Sequence, residues 1–146
     1  KPVFVPRTNY DDKDQIVDKL SDQYDPFENE QQRNDLNYHH HSISKKQFLA
    51  LKKERFNAEL ILDLHGVNRQ QARIELIEFI AYSQQHDYRR IIIMPGQGQG
   101  ILRQALNSWL RQLPEILAFA ESPQRTGGKG VIRILIAANH RSGHFL

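Results

Sequence analysis

The chain has 146 residues, which is enough for one domain with an extension. It contains no cysteine, which excludes disulfide frameworks and thiolate metal sites and fits a reducing compartment. The net charge is +3, and no apolar run approaches the roughly 18 residues that a membrane span needs. We therefore predict a cytoplasmic protein without membrane contact.

Charge is distributed unevenly along the chain. Acidic residues outnumber basic ones in residues 1–35, lysines dominate residues 36–57, and nearly all basic residues after residue 58 are arginines. An arginine side chain can bind a phosphate group through two parallel hydrogen bonds, which favours it over lysine for this contact. The basic C-terminal part suggests a nucleic-acid partner, and ordinary surface charge is the alternative explanation.

Residues 1–57 are predicted to form a polar N-terminal extension that is partly disordered or docks on a partner. Acidic residues in the first turn and apolar residues at helical spacing predict a helix near 11–24. Residues 27–41 are polar and are predicted to be a linker. Ser44 is a suitable N-cap for a second helix near 44–55, whose basic side chains either face solvent or touch a phosphate backbone.

Residues 58–138 carry most of the isoleucine, leucine and valine and are predicted to form one α/β domain, followed by a tail at 139–146. In chain order, the periodicity predicts a strand that starts at Glu59 and stops at Gly66, and a helix at 69–86 capped by Asn68. It then predicts a strand at 89–94, a helix at 101–113, and strands at 116–119 and 131–137. The first two strands should be parallel and the last two antiparallel. The predicted order is β-α-β-α-β-β, with a mixed four-stranded sheet.

Asp63 and His65 lie where the first predicted strand ends, just before Gly66. Residues two apart in a strand share a face, so a carboxylate and an imidazole are placed side by side. Ligands of open α/β sheets bind beyond the carboxyl ends of the strands, which favours a functional site here. The alternative is that Asp63 only caps the following helix.

A glycine-rich loop at 95–100 follows the second strand of the domain and precedes a helix. Its glycines allow backbone N–H groups to approach an anion, and the helix N-terminus adds partial positive charge. The spacing fits neither the dinucleotide-binding motif nor the P-loop motif, so a phosphodiester is favoured over a free nucleotide, and a plain tight turn is the alternative. In a strand-helix-strand unit, this loop and the pair of Asp63 and His65 converge on one cleft.

Basic side chains could complete this cleft. Arg103 lies on the predicted outer face of the following helix, together with Asn107 and Arg111. The loop between the last two strands carries Arg125 and Lys129. The sequence leaves open which end of the sheet this loop occupies.

Three stretches resemble the motifs of the Smr domain family. Asp63-Leu64-His65-Gly66 resembles L-D-L-H-G, and residues 96–103, which run from Gly96 to Arg103, resemble the family motif H-G-x-G-x-G-x-L-R after its first residue. Thr126-Gly127-Gly128 resembles the family's glycine-rich turn before the last strand. The resemblance covers roughly residues 59–136, and the preceding segment is similar to that of proteobacterial stand-alone members.

The resemblance implies an α/β two-layer sandwich like the C-terminal domain of bacterial translation initiation factor 3. It implies a nuclease with Asp63 and His65 as catalytic residues. Stand-alone members that rescue collided ribosomes cut mRNA, so the expected function is an endoribonuclease acting on stalled or collided ribosomes, with RNA and the ribosome as partners. The residues predicted to bind nucleic acid, from the loops and the resemblance together, are Gly66, Gly96, Gln97, Gly98, Gly100, Arg103, Arg125 and Lys129.

A mechanism follows from the chemistry of the pair. A histidine side chain ionises near neutral pH, so His65 could take a proton from an RNA 2′-hydroxyl or protonate the leaving oxygen, while Asp63 orients its ring. No second carboxylate accompanies Asp63, which disfavours a two-metal site. No cofactor is predicted, and the sequence leaves the use of a divalent metal open.

One position departs from the family motif. Pro95 stands where the second motif has its histidine, and proline has no backbone N–H to offer a phosphate. Pro95 favours one alternative to the endoribonuclease, a non-cleaving module that binds RNA or the ribosome. A second alternative is an endonuclease that nicks DNA. A third, an unrelated α/β protein that binds small anions, is disfavoured because the outer helix face and the C-terminal loop are rich in arginine.

Overall fold

The computed structural model describes residues 2–6, 20–53, 55–96, 100–123 and 130–138. The tail at 139–146 and most of the helix predicted near 11–24 lie outside these residues. The described elements are α1 (Glu30–Asn34), β1 (Asn37–His39), α2 (Lys45–Leu51), β2 (Leu60–Asp63), α3 (Arg69–Gln85), β3 (Arg90–Met94), α4 (Ile101–Gln112), β4 (Ile116–Glu121) and β5 (Ile132–Ile136). None of the described helices is long and apolar enough to cross a membrane.

A five-stranded mixed sheet with the order β1-β4-β5-β3-β2 forms the centre of the described fold. β2 and β3 are parallel, while the β3–β5, β4–β5 and β1–β4 pairs are antiparallel. The predicted α/β class and the order β-α-β-α-β-β from β2 to β5 are confirmed. The predicted number of strands is wrong, because β1 from the N-terminal extension joins the sheet as a fifth strand.

Helices α3 and α4 cover one face of the sheet. Their apolar side chains, including Phe79 and Trp109, are fully buried against the inward residues of the strands. α3 begins with a capping box in which the Asn68 side chain accepts from the backbone of Gln71 and the Gln71 side chain accepts from the backbone of Asn68. The predicted cap and helix are therefore confirmed, and the cap fixes the turn between β2 and α3.

The opposite face of the sheet is covered in part by α2. Leu51 of this helix packs with Ala118 and Ala120 of β4. Ser44 caps α2 as predicted, but the helix ends at Leu51 rather than near residue 55. β2 is an edge strand of the sheet, and the start of the chain pairs with it. Val3 pairs with Ile61 of β2, and the backbone N–H of Phe4 donates to the Ile61 carbonyl at 2.7 Å.

The expected linker at 27–41 contains α1 and β1 and packs on the domain. Leu36, just before β1, is buried in the main core, and the β1–β4 pairing extends the sheet. Residues 20–24, the end of the helix predicted at 11–24, are not helical. Here tertiary contacts override local helix propensity, because Leu20 is buried in the core and Asp22 pairs with arginines of α3. The exact boundary between extension and domain stays a prediction.

Candidate active site

Asp63 is the last residue of β2, and His65 lies two residues later in the turn that leads to α3. The Oδ1 atom of Asp63 accepts two hydrogen bonds from His65, one from its backbone N–H at 3.1 Å and one from ring Nδ1 at 2.8 Å. Asn68, rather than Asp63, is the N-cap of α3. Asp63 therefore orients His65 and does not cap the helix.

The hydrogen bonds fix the ionisation of the carboxylate and the tautomer of the ring. The bond from the His65 ring, and then the bond from its backbone N–H, hold the pKa of Asp63 below its usual value. An ionised carboxylate can only accept, so neutral His65 carries its proton on Nδ1 and leaves the Nε2 lone pair free. The His65 side chain is 78% exposed, so Nε2 can accept a proton from a molecule in solution.

Gly96 brings the loop after β3 into contact with His65. Its φ is +83°, and a Cβ at this position would lie 3.0 Å from the Cα atom and 3.1 Å from the Cβ atom of His65. The ends of β2 and β3 are also joined by a 2.8 Å hydrogen bond from the Leu64 N–H to the Met94 carbonyl. The start of the glycine loop therefore lies directly beside the Asp63–His65 pair.

The connection between β4 and β5 starts and ends at the same end of the sheet as the Asp63–His65 pair. The Ser122 N–H donates to the Val131 carbonyl at 2.7 Å, and the Gly130 N–H donates to Oε2 of Glu121 at 2.6 Å. A Cβ on Gly130 would lie 3.8 Å from Pro95. The question that the sequence left open is thus answered: this loop emerges beside the glycine loop. Four of the predicted binding residues fall outside the described part of the chain, namely Gln97, Gly98, Arg125 and Lys129.

Residues 62–137, which hold the Asp63–His65 pair and both loops, match the Smr domain family. The chain belongs to the Smr domain family. It is similar to proteins named ribosome rescue factor SmrB, with 33% identity over 125 residues to that of Tolumonas auensis. This match covers 86% of the chain and 71% of the relative. Identity is 36% over 99 residues to that of Aeromonas hydrophila, covering 68% of the chain and 57% of the relative.

Two solved structures resemble this Smr protein. YdaL, a stand-alone small MutS-related protein from Escherichia coli, superposes with a TM-score of 0.67, covering 86% of this chain and 98% of YdaL at 17% identity. The Smr domain of Thermus thermophilus MutS2 superposes with a TM-score of 0.51, covering 53% of this chain and 96% of that domain at 27% identity. These likenesses agree with the α/β fold described above.

Pro95 stands at the position of the second-motif histidine in this Smr domain. It is partly buried between β3 and Gly96 and lies near Gly130. A proline there supplies neither an imidazole nor a backbone N–H. The Asp63–His65 pair therefore has no second histidine at that position of the cleft.

The predicted outer face of α4 is not a free basic surface. Asn107 is buried and donates to the carbonyls of Gln32 and Arg33, both at 3.1 Å. Arg111 donates to the carbonyls of Asp35 at 3.3 Å and Asn37 at 3.0 Å. The prediction that this face meets solvent is wrong, because α1 and the start of β1 cover it and their carbonyl groups accept its hydrogen bonds.

Arg103 is also held within the chain. Its guanidinium lies 3.4 Å from the Asn34 carbonyl and 3.5 Å from Oε1 of Glu121, and its side chain is 28% exposed. Both contacts are long for charge-assisted hydrogen bonds, so the guanidinium retains capacity for another acceptor. Phosphate binding by Arg103, Gly66, Gly96 and Gly100 stays a prediction.

Glu121 is a site residue that sequence reasoning missed. Its carboxylate joins Gly130 to Arg103 and so ties the base of the last loop to α4. The available signal was its place as a polar residue at the end of a buried strand, which is also the place of Asp63 in β2. Among the described residues, no group of three or more His, Asp or Glu side chains could hold a metal ion.

Proposed function

We propose that this Smr protein is an endoribonuclease that cleaves mRNA on stalled or collided ribosomes in the cytoplasm. The observation that carries the proposal is the hydrogen bond of 2.8 Å from the His65 ring to Asp63, which leaves an exposed Nε2 as a proton acceptor. The link to ribosomes is supported by the relatives, since those of Tolumonas auensis and Aeromonas hydrophila are named ribosome rescue factor SmrB.

The chemistry of the pair suits cleavage of RNA by its own 2′-hydroxyl. Nε2 of His65 removes the 2′ proton as the 2′ oxygen attacks the adjacent phosphorus, and the bond from phosphorus to the 5′ oxygen breaks. The carboxylate of Asp63 stabilises the imidazolium that forms. The leaving 5′ oxygen takes its proton from water, since Pro95 has no acidic group. The products carry a 2′,3′-cyclic phosphate and a 5′-hydroxyl.

The phosphate has a binding position at the start of α4. Gly100 is the N-cap of this helix, and it has no side chain to occupy the N–H groups of the first turn. Those N–H groups and the helix dipole favour a phosphate oxygen, whose negative charge grows in the transition state. Gly96 holds the start of the glycine loop against His65, on the side of the proton acceptor.

The test is cleavage of mRNA in purified stalled polysomes by the full chain. His65→Ala and Asp63→Asn should each lower the cleavage rate by about a hundredfold or more, the usual size of a general-base contribution. His86→Ala is the matched control, because His86 is exposed and lies at the far end of α3. New RNA ends should accept a sequencing adapter only after 5′ phosphorylation, as a 5′-hydroxyl requires.

Pro95 favours a second candidate, a module that binds RNA or the ribosome without cutting. In that case neither wild-type protein nor Pro95→His would generate new RNA ends, and His65→Ala would bind polysomes as wild-type does. Cleavage that appears only in Pro95→His would show that the cleft is built for catalysis and that this chain lacks one catalytic group.

A further inference from the structure

The face of the sheet opposite α3 and α4 carries a partly exposed apolar strip that ends at Asp63. Leu60 and Leu62 point into the core, so Ile61 and Asp63 point to the other face. In the parallel register, Ile61 lies beside Ile92 and Asp63 beside Met94. Met94 is 39% exposed. We use the name apolar strip for Val3, Ile61 and Met94; Ile92, which lies beside Ile61, is buried.

The edge of the strip is formed by the first residues of the described chain. Val3 pairs with Ile61 and is 56% exposed. Exposed apolar side chains scattered singly need no explanation, but here Met94 lies beside Asp63 in register and Val3 lies beside Ile61 on the same face of the sheet. The strip is thus continuous with the proposed cleavage site.

The segment after α2 bounds the strip on the side of β5. We use the name basic wall for its exposed cations, Lys53 and Arg55. Arg133 of β5 lies beside Ile92 in register and is buried, and its Nη1 donates to the carbonyls of Leu51 and Lys53. Its guanidinium also lies 5.2 Å from the centre of the Phe56 ring. The segment after α2 is therefore fixed above β5, next to the strip.

The same segment continues along the strip toward β3. The Nε atom of Arg90 donates to the Asn57 carbonyl at 3.2 Å, which anchors the end of the segment. Between these anchors, Lys53 and Arg55 are exposed, and both side chains are cationic. The surface thus combines an apolar floor, a positively charged wall and a proton acceptor at one end.

We propose that the apolar strip and its wall bind single-stranded RNA next to the bond that is cut; this inference rests on the proposed function, since it places the scissile phosphate at His65. Unpaired bases expose apolar faces for Met94 and Val3, whereas the bases of a duplex are stacked on one another. Lys53 and Arg55 match the negative charge of the RNA backbone. A protein partner would explain the apolar floor, but it leaves the adjoining cations and the cleavage site unexplained.

The contribution of the apolar strip to RNA binding is tested with a single polar substitution. Met94→Gln keeps the length and charge of the side chain, and Leu49→Gln is its matched control because Leu49 is a 49% exposed apolar residue of α2. Both are made in full chains that carry His65→Ala, so that the probe stays intact. Fluorescence anisotropy with a labelled 12-nucleotide single-stranded RNA should show about fivefold weaker binding for Met94→Gln and no change for Leu49→Gln.

The wall is tested by the salt dependence of binding. Lys53→Gln/Arg55→Gln should lower the affinity about tenfold and reduce the slope of log affinity against log salt by about 1.4, or about 0.7 for each lost phosphate contact. Lys45→Gln/Lys46→Gln removes the same charge from the other end of α2 and should leave both quantities close to wild-type. Thermal unfolding followed by circular dichroism verifies that each variant is folded.

The inference is overturned if Met94→Gln binds the RNA as its control does, or if Lys53→Gln/Arg55→Gln and Lys45→Gln/Lys46→Gln weaken binding equally. It is also overturned if the strip variants lose ribosome association while keeping their affinity for RNA, which would indicate a protein partner. Failure of the proposed function has a different signature: the strip then binds RNA as expected, but wild-type protein cuts nothing.

Discussion

At the scale of single residues, Gly96 sets the geometry of the candidate site. Its positive φ strains any other residue, and a Cβ there would lie 3.0 Å from the Cα atom of His65, so that His65 would have to shift. We predict that Gly96→Ala lowers the free energy of unfolding by about 2–4 kcal/mol and abolishes cleavage, because His65 must move. Urea unfolding and the polysome assay measure the two effects.

Gly100→Ala is the matched control for this substitution. Gly100 has a similar φ of +84°, but a Cβ there would meet no atom within 4 Å. Only the conformational strain remains, so the expected loss is about 1–2 kcal/mol. Equal losses in the two variants would show that the contact of Gly96 with His65 has no energetic consequence.

The hydrogen bond between Asp63 and His65 predicts a specific tautomer. With Nδ1 bonded to the carboxylate at 2.8 Å, neutral His65 should carry its proton on Nδ1, and two-dimensional ¹⁵N spectra of the ring resolve this tautomer. Asp63→Ala should shift the neutral ring toward the Nε2–H form and remove the exposed acceptor. A ring in wild-type protein that already carries its proton on Nε2 would refute this assignment of the general base.

At the scale of elements, Asp22 anchors the N-terminal segment on the helices. Its carboxylate accepts hydrogen bonds from Arg69 at 2.8 Å and from the indole of Trp109 at 3.0 Å, and it pairs with Arg73. Asp22→Asn should lower the free energy of unfolding by about 1 kcal/mol, allowing for the partial exposure of the carboxylate. Asp25→Asn is the control and should have a smaller effect, since Asp25 pairs with Arg33 at the surface.

The same anchor has a predictable dependence on pH. Burial raises the pKa of Asp22. The hydrogen bonds from Arg69 and Trp109 and the charges of Arg69 and Arg73 together lower the pKa by more than burial raises it, so the net shift is downward. A lowered carboxyl pKa stabilises the fold above the unfolded value of about 3.9, and that contribution is lost as the pH falls through the folded value. The difference in stability between wild-type and Asp22→Asn should therefore be constant from pH 6 to 8 and shrink below about pH 4.

Elements with strong local signals could be predicted from the sequence. The capping residues Ser44 and Asn68 and the apolar runs of β2 and β3 depend on neighbours in the chain, and each was found. The predicted end of β2 was too late, since the strand ends at Asp63 and His65 lies in the following turn. β1 could not be predicted in this way. It has only three residues, and its stability comes from pairing with β4, about 80 positions away in the sequence.

At the scale of the whole molecule, the residues of the candidate site gather at one end of the sheet, where β2 and β3 terminate. Asp63, His65 and Gly96 were predicted together because a parallel strand-helix-strand unit always places successive carboxyl ends side by side. Glu121 and the last loop join them because two antiparallel pairings return the chain to this edge. That step depends on strand order, which the sequence does not encode locally.

We predict that the N-terminal segment unfolds in the same cooperative transition as the domain, because it contributes to the main core and to the sheet. Leu36 is 3% exposed within the main core, whereas Leu49, also in the extension, is exposed. We predict that Leu36→Ala lowers the free energy of unfolding by about 2–4 kcal/mol and that Leu49→Ala changes it by less than about 0.5 kcal/mol.

The reporter for this comparison is Trp109, the single tryptophan, which is buried in α4 outside the extension. If the extension were an independent appendage, Leu36→Ala would leave the urea midpoint of Trp109 fluorescence unchanged, while circular dichroism would show a separate early transition. Because β1 pairs with β4 and α1 accepts hydrogen bonds from α4, we expect the two probes to report one coincident transition at a lower urea concentration.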